Sequence, residues 1–153
     1  MSNELNTLVL NLDSGGDVVI KLRSDLAPGH VARIRELVGE GFYDNVVFHR
    51  VIPGFMAQGG DPTGSGRGGS DKPNLKAEFS SAPHRRGAVS MARTHDPDSA
   101  NSQFFICTDE ARFLDGQYTV WGEVTEGMDH VDGLPKGEPP ANPGRIVKAA
   151  LRP

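Results

Sequence analysis

Two strand-like runs flank a proline–glycine pair in the stretch Phe48-His49-Arg50-Val51-Ile52-Pro53-Gly54-Phe55-Met56-Ala57-Gln58-Gly59-Gly60-Asp61. Side chains two residues apart in a strand share one face of the sheet, so Met56 and Gln58 point the same way. The run before the turn brings Arg50 next to them. We therefore expect one sheet face to combine an apolar group, an amide and a guanidinium.

The run Ser102-Gln103-Phe104-Phe105-Ile106 repeats this combination, because Gln103 and Phe105 share a face. Two interpretations are open. In the first, which periodicity alone favours, the apolar side chains are ordinary core, namely Phe55, Met56, Phe104 and Phe105. In the second, they form the floor of a ligand groove in which an arginine and two glutamines fix the orientation of the ligand.

The rest of the chain adds further strands and two helical segments. Alternating apolar residues on both sides of a turn at 13–17 predict a hairpin, and Pro28 begins an amphipathic helix that ends near Gly39 and Gly41. Other strands are predicted at 88–93, 103–108, 118–124 and 146–151, with a helical turn at 128–134. There is no repeat or composition break, so residues 1–153 are predicted to form a single domain. Many strands with two helical patches favour a closed barrel or a sandwich.

Composition excludes several classes of protein. The chain has 153 residues and a formal net charge of −4 at a pI of about 5.7, which argues against a nucleic-acid partner, since phosphates call for a basic face. The single cysteine, Cys107, cannot form an internal disulfide and is expected in the core. No stretch approaches the ~18 apolar residues of a membrane span. We expect a cytoplasmic monomer without a membrane partner, although a chain stripped of a presequence would have the same pattern.

Several other patterns have unremarkable interpretations. Residues 64–69 match G-x-G-x-x-G, but they lead into Ser-Asp-Lys-Pro rather than a helix, so we expect a flexible loop beside the groove instead of a phosphate cradle. The five histidines lack the spacing of metal ligands. His49 should face away from Arg50 and be buried and hydrogen-bonded, and Trp121 should be a packing residue. No Ser-His-Asp set is evident in the sequence.

The two opening runs, together with Gly87-Ala88-Val89-Ser90-Met91-Ala92-Arg93-Thr94 and Phe113-Leu114-Asp115-Gly116, resemble the cyclophilin family of peptidyl-prolyl isomerases. The resemblance extends over nearly the whole chain, and the run at 91–94 and the short loops are similar to the small bacterial branch. It implies a mainly β fold, a closed eight-stranded antiparallel barrel capped by two helices. It also implies acceleration of rotation about X–Pro bonds in proline-containing peptides and unfolded proteins, with no cofactor and no metal.

The resemblance also assigns expected roles to residues. Arg50 would be catalytic, Gln58 would orient it and contact the substrate, and the proline ring would enter a pocket formed by Phe55, Met56, Phe105 and Leu114. The remaining expected groove residues are Ala92 and Arg93, whose backbone would pair with the peptide, Gln103 on the wall, and Thr94 with Ser102 beside the pocket for the preceding side chain.

Two further groove positions depart from the best-known eukaryotic pattern. Phe113 stands where those members have a tryptophan that hydrogen-bonds cyclosporin, and Tyr118 stands where they have a histidine at the pocket rim. Cyclosporin is therefore expected to bind weakly, while the arginine and the proline pocket remain. A rival function is a binding module that holds proline-containing peptides in the same groove, with isomerisation incidental. The presence of Arg50 and Phe105 favours the enzyme.

Overall fold

A computed structural model describes residues 5–153 and shows eight strands, two α-helices and one 3-10 turn. The strands are β1 (Thr7–Leu12), β2 (Asp17–Leu22), β3 (Arg50–Ile52), β4 (Met56–Gly59), β5 (Ala88–Met91), β6 (Phe104–Cys107), β7 (Val120–Glu126) and β8 (Ile146–Arg152). The helices are α1 (Pro28–Gly39), α2 (Met128–Asp132) and the 3-10 turn Arg112–Leu114, which the sequence patterns did not predict. All ladders are antiparallel, in the order β3-β4-β6-β5-β7-β2-β1-β8.

Local sequence chemistry explains the elements that were predicted well. In β1 every second residue is buried, as its alternating leucines require, and Gly15 adopts a φ of 95° in the turn to β2. The fixed φ of Pro28 suits the first turn of α1, whose buried side chains include Val31, Ile34 and Leu37. The predicted hairpin and helix are confirmed.

The sheet curls into a barrel-like shape, but the prediction of a closed barrel is wrong. Within residues 5–153 the edge strands β3 and β8 share no ladder, and the gap is crossed by isolated bridges between Val47 and Arg145 and between Val51 and Gly137. The segment opposite β3 contains Pro139, Pro140 and Pro143. Proline has no N–H to donate to a ladder, so this edge can be bridged at single points only.

Two apolar clusters occupy opposite faces of the curled sheet. Phe104 and Ile106 of β6 belong to the main core, which also contains the buried Trp121. Their neighbours Phe105 and Cys107 belong to a second cluster, in which Met56 and Ala88 are also buried. The alternation of β6 thus divides its side chains between a core and an outer face, so Phe104 fits the core interpretation and Phe105 the groove interpretation.

The second cluster is where the sheet meets the site. Partly buried side chains pack on it from β3, the turn after β3, the residue after β5, the 3-10 turn and the segment before β7, namely Ile52, Phe55, Ala92, Leu114 and Tyr118. The 3-10 turn brings Leu114 to this face, although it follows β6 by several residues. A small apolar surface is therefore built on the outside of the sheet, supported from behind by the main core.

Candidate active site

Three neighbouring strands align a guanidinium, an amide and an aromatic ring in one cross-strand row. Arg50 of β3 is paired with Gln58 of β4, and Gln58 is paired with Phe105 of β6. Directly paired residues in antiparallel strands place their side chains on the same face about 4.5–5.5 Å apart. The row continues to Ser90 of β5. Strand register alone therefore brings together residues that lie 55 positions apart in the sequence, from Arg50 to Phe105.

A cavity of about 130 Å³ opens at this row. Its walls are Arg50, Phe55, Met56, Gln58, Ala92, Arg93, Phe105, Leu114 and Tyr118. Water occupies about 30 Å³ per molecule in the liquid, so the space corresponds to about four waters and suits a small ring. Met56 and Phe105 form a buried apolar floor, while Arg50 and Gln58 supply the polar groups at one side. Nine predicted groove residues thus meet at one cavity, whereas Thr94, Gln103 and Phe113 lie outside it.

A larger cavity of about 820 Å³, lined mostly by polar residues and glycines, adjoins the first, and Gln58, Ala92 and Arg93 line both. Thr94, Ser102 and Gln103 are among its walls, and Thr94 and Ser102 are the residues that were expected beside a second pocket. The glycine-rich loop forms its opposite wall through Gly66, Arg67, Gly68, Gly69 and Ser70. The two cavities therefore share a wall, and together they form a groove with an apolar floor at one end and mostly polar residues at the other.

The side chain of Arg50 is held by a residue that the sequence patterns did not single out. Its Nε donates to Oε1 of Glu138 at 2.9 Å, and both side chains are about half exposed, at 44% and 57%. Within residues 5–153 Glu138 is the one hydrogen-bond partner of this guanidinium. Gln58 lies beside Arg50 in the ladder, but no hydrogen bond joins the two side chains in the described part of the chain. Glu138 lies in a proline-rich loop 88 residues away, and no local pattern links it to β3.

Gln58 instead belongs to a relay of side-chain amides. Nε2 of Gln103 donates to the carbonyl oxygens of Gly66 and Gly68, each at 2.9 Å, and Oε1 of Gln103 accepts from Nε2 of Gln58 at 3.0 Å. Because both partners of Nε2 are acceptors, the orientation of the Gln103 amide is fixed. The amide of Gln58 is fixed in turn, and its Oε1 remains available to accept a hydrogen bond from a ligand.

The glycine-rich loop is folded around Asp61, which is buried. Its carboxylate accepts from the backbone N–H groups of Thr63, Gly66 and Gly68 at 2.8, 2.7 and 3.1 Å, and also from the Thr63 hydroxyl. These donors hold the pKa of Asp61 well below its usual range, although burial acts in the opposite direction. The loop therefore directs its N–H groups at a carboxylate of its own chain, so it borders the groove and is not a phosphate cradle.

Aromatic and cationic side chains form the far rim of the small cavity. The guanidinium of Arg93 lies 4.6 Å from the ring centroid of Tyr118, and its Nε and Nη2 donate to the carbonyl oxygen of Gln117 at 3.0 and 2.8 Å. Tyr118 in turn meets Phe105 edge to face, with centroids 5.7 Å apart. Phe113 is 68% exposed and packs against Phe55 rather than lining the cavity, with centroids 5.6 Å apart.

A polar chain, buried at His84 and Ser90 and partly exposed at Asp115, supports Phe105 from behind. Nδ1 of His84 lies 3.1 Å from Oδ1 of Asp115, Nε2 of His84 lies 3.0 Å from Oγ of Ser90, and the imidazole stacks on Phe105 at 6.1 Å. Burial lowers the pKa of His84, and hydrogen bonds, first from Arg112, lower that of Asp115 to about 2. These residues form a Ser-His-Asp line that the sequence did not suggest. Ser90 is fully buried and donates to the carbonyl of Thr119, so its hydroxyl is not an accessible nucleophile.

The remaining expectations about single residues have mixed outcomes. His49 is buried as predicted, but its Nδ1 has no hydrogen-bond partner among the described residues, so the expected hydrogen-bonded state is wrong for that nitrogen. Burial lowers its pKa. Trp121 and Cys107 are buried as predicted, and burial raises the pKa of the Cys107 thiol to about 12. Across residues 5–153 no three His, Cys, Asp or Glu side chains are arranged to hold a metal ion, and no helix has the length and apolarity of a membrane span.

Comparison with known protein families identifies one match over almost the full chain. A family model described as "Cyclophilin type peptidyl-prolyl cis-trans isomerase/CLD" matches residues 7–151. A "Probable peptidyl-prolyl cis-trans isomerase" of Brucella suis is 52% identical over 162 residues, which cover 95% of this chain and 82% of the relative. "Peptidyl-prolyl cis-trans isomerase B" of Bacillus subtilis is 42% identical over 129 residues, covering 83% of this chain and 89% of the relative.

Solved structures give the same result for the fold. A cyclophilin from Hirschia baltica superposes with a TM-score of 0.89 at 34% identity, covering 96% of this chain and 74% of that one. A cyclophilin-type isomerase of Cryptosporidium parvum, solved in the presence of the dipeptide Ala-Pro, superposes with a TM-score of 0.88 at 29% identity and covers 96% and 99% of the two chains. This chain therefore shares its overall fold with solved cyclophilin structures.

Proposed function

Because this chain belongs to the family of cyclophilin-type peptidyl-prolyl cis-trans isomerases and is an enzyme of that type, we propose that Arg50 stabilises the twisted X–Pro amide while the 130 Å³ cavity holds the proline ring. The observation that carries this proposal is the shared lining of that cavity. The guanidinium of Arg50 and a set of apolar side chains border the same small space. Arg50 and Phe105 are brought there by direct strand register.

The reaction requires stabilisation of a distorted amide and no bond cleavage. Rotation about a peptide bond has a barrier of about 18–20 kcal/mol, because it breaks amide resonance. In the twisted state the proline nitrogen regains a lone pair that can accept a hydrogen bond. A guanidinium beside that nitrogen can donate to the twisted amide better than to the planar one, which is preferential binding of the transition state. Neither a nucleophile nor a metal is needed for such a step.

Magnitudes divide the work between Arg50 and the apolar pocket. An acceleration of about 10⁴ requires about 5.4 kcal/mol, at 1.36 kcal/mol per decade. One preorganised donor supplies about 2.7–4 kcal/mol in other enzymes. The balance, about 1.4–2.7 kcal/mol, would come from the pocket, which holds the ring while the preceding carbonyl turns and keeps water from the amide. The buried floor of Met56 and Phe105 suits that role.

The polar cavity and the amide relay suggest how a peptide lies in the groove. Ala92 and Arg93 follow β5 and line both cavities, so we propose that their backbone pairs with the peptide between the two pockets. The side chain of the residue before the proline would then be surrounded by Thr94, Ser102 and Gln103. Gln58 touches both cavities, and its free Oε1 could accept an N–H from the substrate. The wide cavity favours tolerance of many different side chains before the proline. We propose that the substrates are flexible or unfolded chains and that the enzyme is a monomer.

Isomerisation of a proline tetrapeptide, measured in a protease-coupled assay beside a peptide-binding titration, tests this mechanism. Arg50→Ala should lower kcat about 10²–10³-fold, the value of one preorganised donor. Arg50→Lys should rescue poorly, because lysine keeps the charge but lacks the planar fork. Wild-type activity in Arg50→Ala would refute the role of the guanidinium. Binding by the wild-type chain without turnover would support the rival peptide-binding module.

A further inference from the structure

Arg50 stands on the boundary between two cavities. On one side is the small apolar cavity, and on the other is a space of about 430 Å³ lined by His49, Gly64, Ser65, Gly66, Glu138 and Pro139 together with Arg50 and Gln58. Glu138 lies on the second side only. Its carboxylate takes the Nε–H of Arg50 at 2.9 Å, and neither terminal Nη group is hydrogen-bonded to a described residue. The ion pair thus occupies Nε and leaves the two terminal Nη groups, the fork of the guanidinium, available to a ligand.

The backbone that carries Glu138 is fixed beside β3. The N–H of Gly137 donates to the carbonyl of Val51 at 2.9 Å, and the N–H of Val51 donates back at 2.8 Å. Gly137 has a φ of 143°, and a Cβ there would lie 2.7 Å from Cα of Pro140, so a side chain would be strained. These contacts join the residue after Arg50 to the residue before Glu138. The ion pair is therefore built into the strand edge.

We propose that Glu138 is a positioning residue for the reaction, which holds the Arg50 guanidinium at the edge of the proline pocket by binding Nε. The inference rests on the proposed role of Arg50. An exposed ion pair adds little to stability, so its main consequence here would be the placement of the fork. Arginine has large rotamer freedom, and a half-exposed side chain without its partner would spend most of its time in other rotamers. Loss of Glu138 should then lower kcat by about three- to thirtyfold, the range set by the freedom of such a side chain.

The experiment also tests the opposite effect, a rise in activity when Glu138 is removed. A carboxylate on Arg50 partly neutralises the charge that a substrate would meet. If competition with the substrate outweighed positioning, removal of Glu138 would raise activity. Positioning acts mainly on kcat, because the proline ring binds to apolar side chains that Glu138 does not touch, while competition would act mainly on KM.

The experiment compares Glu138→Gln and Glu138→Ala with wild type and with a matched control. Asp132→Ala breaks a similarly exposed pair, Asp132 with Arg86 at 2.6 Å, and Asp132 lines none of the three cavities. We expect kcat to be highest in wild type, lower in Glu138→Gln and lowest in Glu138→Ala, with KM changed less than twofold. The control variant should have the kcat and KM of wild type. Glutamine keeps an acceptor for Nε but loses the charge, so it should retain part of the rate. The difference in kcat between wild type and Glu138→Gln should decrease at about 1 M salt, because the screening length there is about 3 Å and the charge on Glu138 then matters less.

A double-mutant cycle with Arg50→Ala separates this inference from the proposed function. If Glu138 acts through Arg50, Glu138→Ala should cause no further loss of kcat in the Arg50→Ala background. Equal additional losses in both backgrounds, an unchanged kcat in the single variant, or a raised kcat would each overturn the positioning role. Activity retained in Arg50→Ala itself would instead overturn the proposed mechanism. Unfolding curves for each variant show whether a loss reflects fewer folded molecules.

Discussion

Phe105→Ala should reduce both stability and activity, and the two effects can be separated. The ring is 5% exposed, stacks on His84 and meets Tyr118 edge to face, so its removal leaves a void beneath the pocket. Phenylalanine-to-alanine changes in cores cost about 3–5 kcal/mol. The lower end, about 3 kcal/mol, is expected here because one side of the ring already borders the 130 Å³ cavity.

The effect on activity follows from the apolar surface that the substrate loses. Burial of the three ring methylenes of proline contributes about 0.8 kcal/mol each, or about 2.4 kcal/mol in total. That energy corresponds to a factor of about 60 in kcat/KM at 1.36 kcal/mol per decade. Phe105 is one of several apolar walls, so a decrease of about five- to sixtyfold is expected, with both KM and kcat affected.

Phe104→Ala is the matched control, because Phe104 belongs to the core on the other face of the same strand. Urea unfolding measures the stability of both variants, and the coupled isomerase assay, run where each is folded, gives kcat/KM per folded molecule. Phe104→Ala should lose stability and keep its activity per folded molecule. If Phe105→Ala lost about 3 kcal/mol of stability but matched wild type in kcat/KM, Phe105 would be a core residue only and the proposed proline pocket would be wrong.

Three further predictions concern pH, the thiol and an inhibitor. Burial lowers the pKa values of His30, His49 and His84, so the unfolded chain binds more protons than the folded one below about pH 6.5. The free energy of unfolding should therefore fall as the pH is lowered through that value. A rise in the free energy of unfolding, measured by urea titration, would contradict this. Burial raises the pKa of Cys107 to about 12, so an aromatic disulfide reagent should label it only on unfolding, and rapid labelling of the folded protein would show an accessible thiolate. Phe113→Trp should add an indole N–H donor and tighten cyclosporin binding about five- to tenfold by calorimetry, and an unchanged affinity would remove the reason given for weak binding.

Elements whose cause is local were predictable from the sequence. The alternating leucines of β1 and the proline at the start of α1 act within a few residues, and both elements lie where expected. Alternation also showed that Phe104 and Phe105 face opposite sides of β6. It could not show which side was the core, because that depends on the other strands, and the family resemblance was needed to place Phe105 in a groove.

Features that arise from distant contacts could not be predicted. The open edge of the sheet lies where Gly137, at the start of a segment with prolines at 139, 140 and 143, is bridged to β3, and neither segment reveals that it meets the other. The pairing of Arg50 with Glu138 follows from hydrogen bonds between Val51 and Gly137, and the line from Asp115 through His84 joins residues on three separate segments. A resemblance supplies the residues that a family shares, whereas these partners appear only when the chain is folded.

The placement of a bound X–Pro peptide tests the central claim most directly. A crystal structure or intermolecular NOEs with a proline tetrapeptide should show the proline ring between Met56, Phe105 and Leu114. The Arg50 fork should lie within hydrogen-bonding distance of the prolyl residue, about 2.7–3.2 Å. A ring bound elsewhere, or an Arg50 side chain that points away from the ring, would contradict the account.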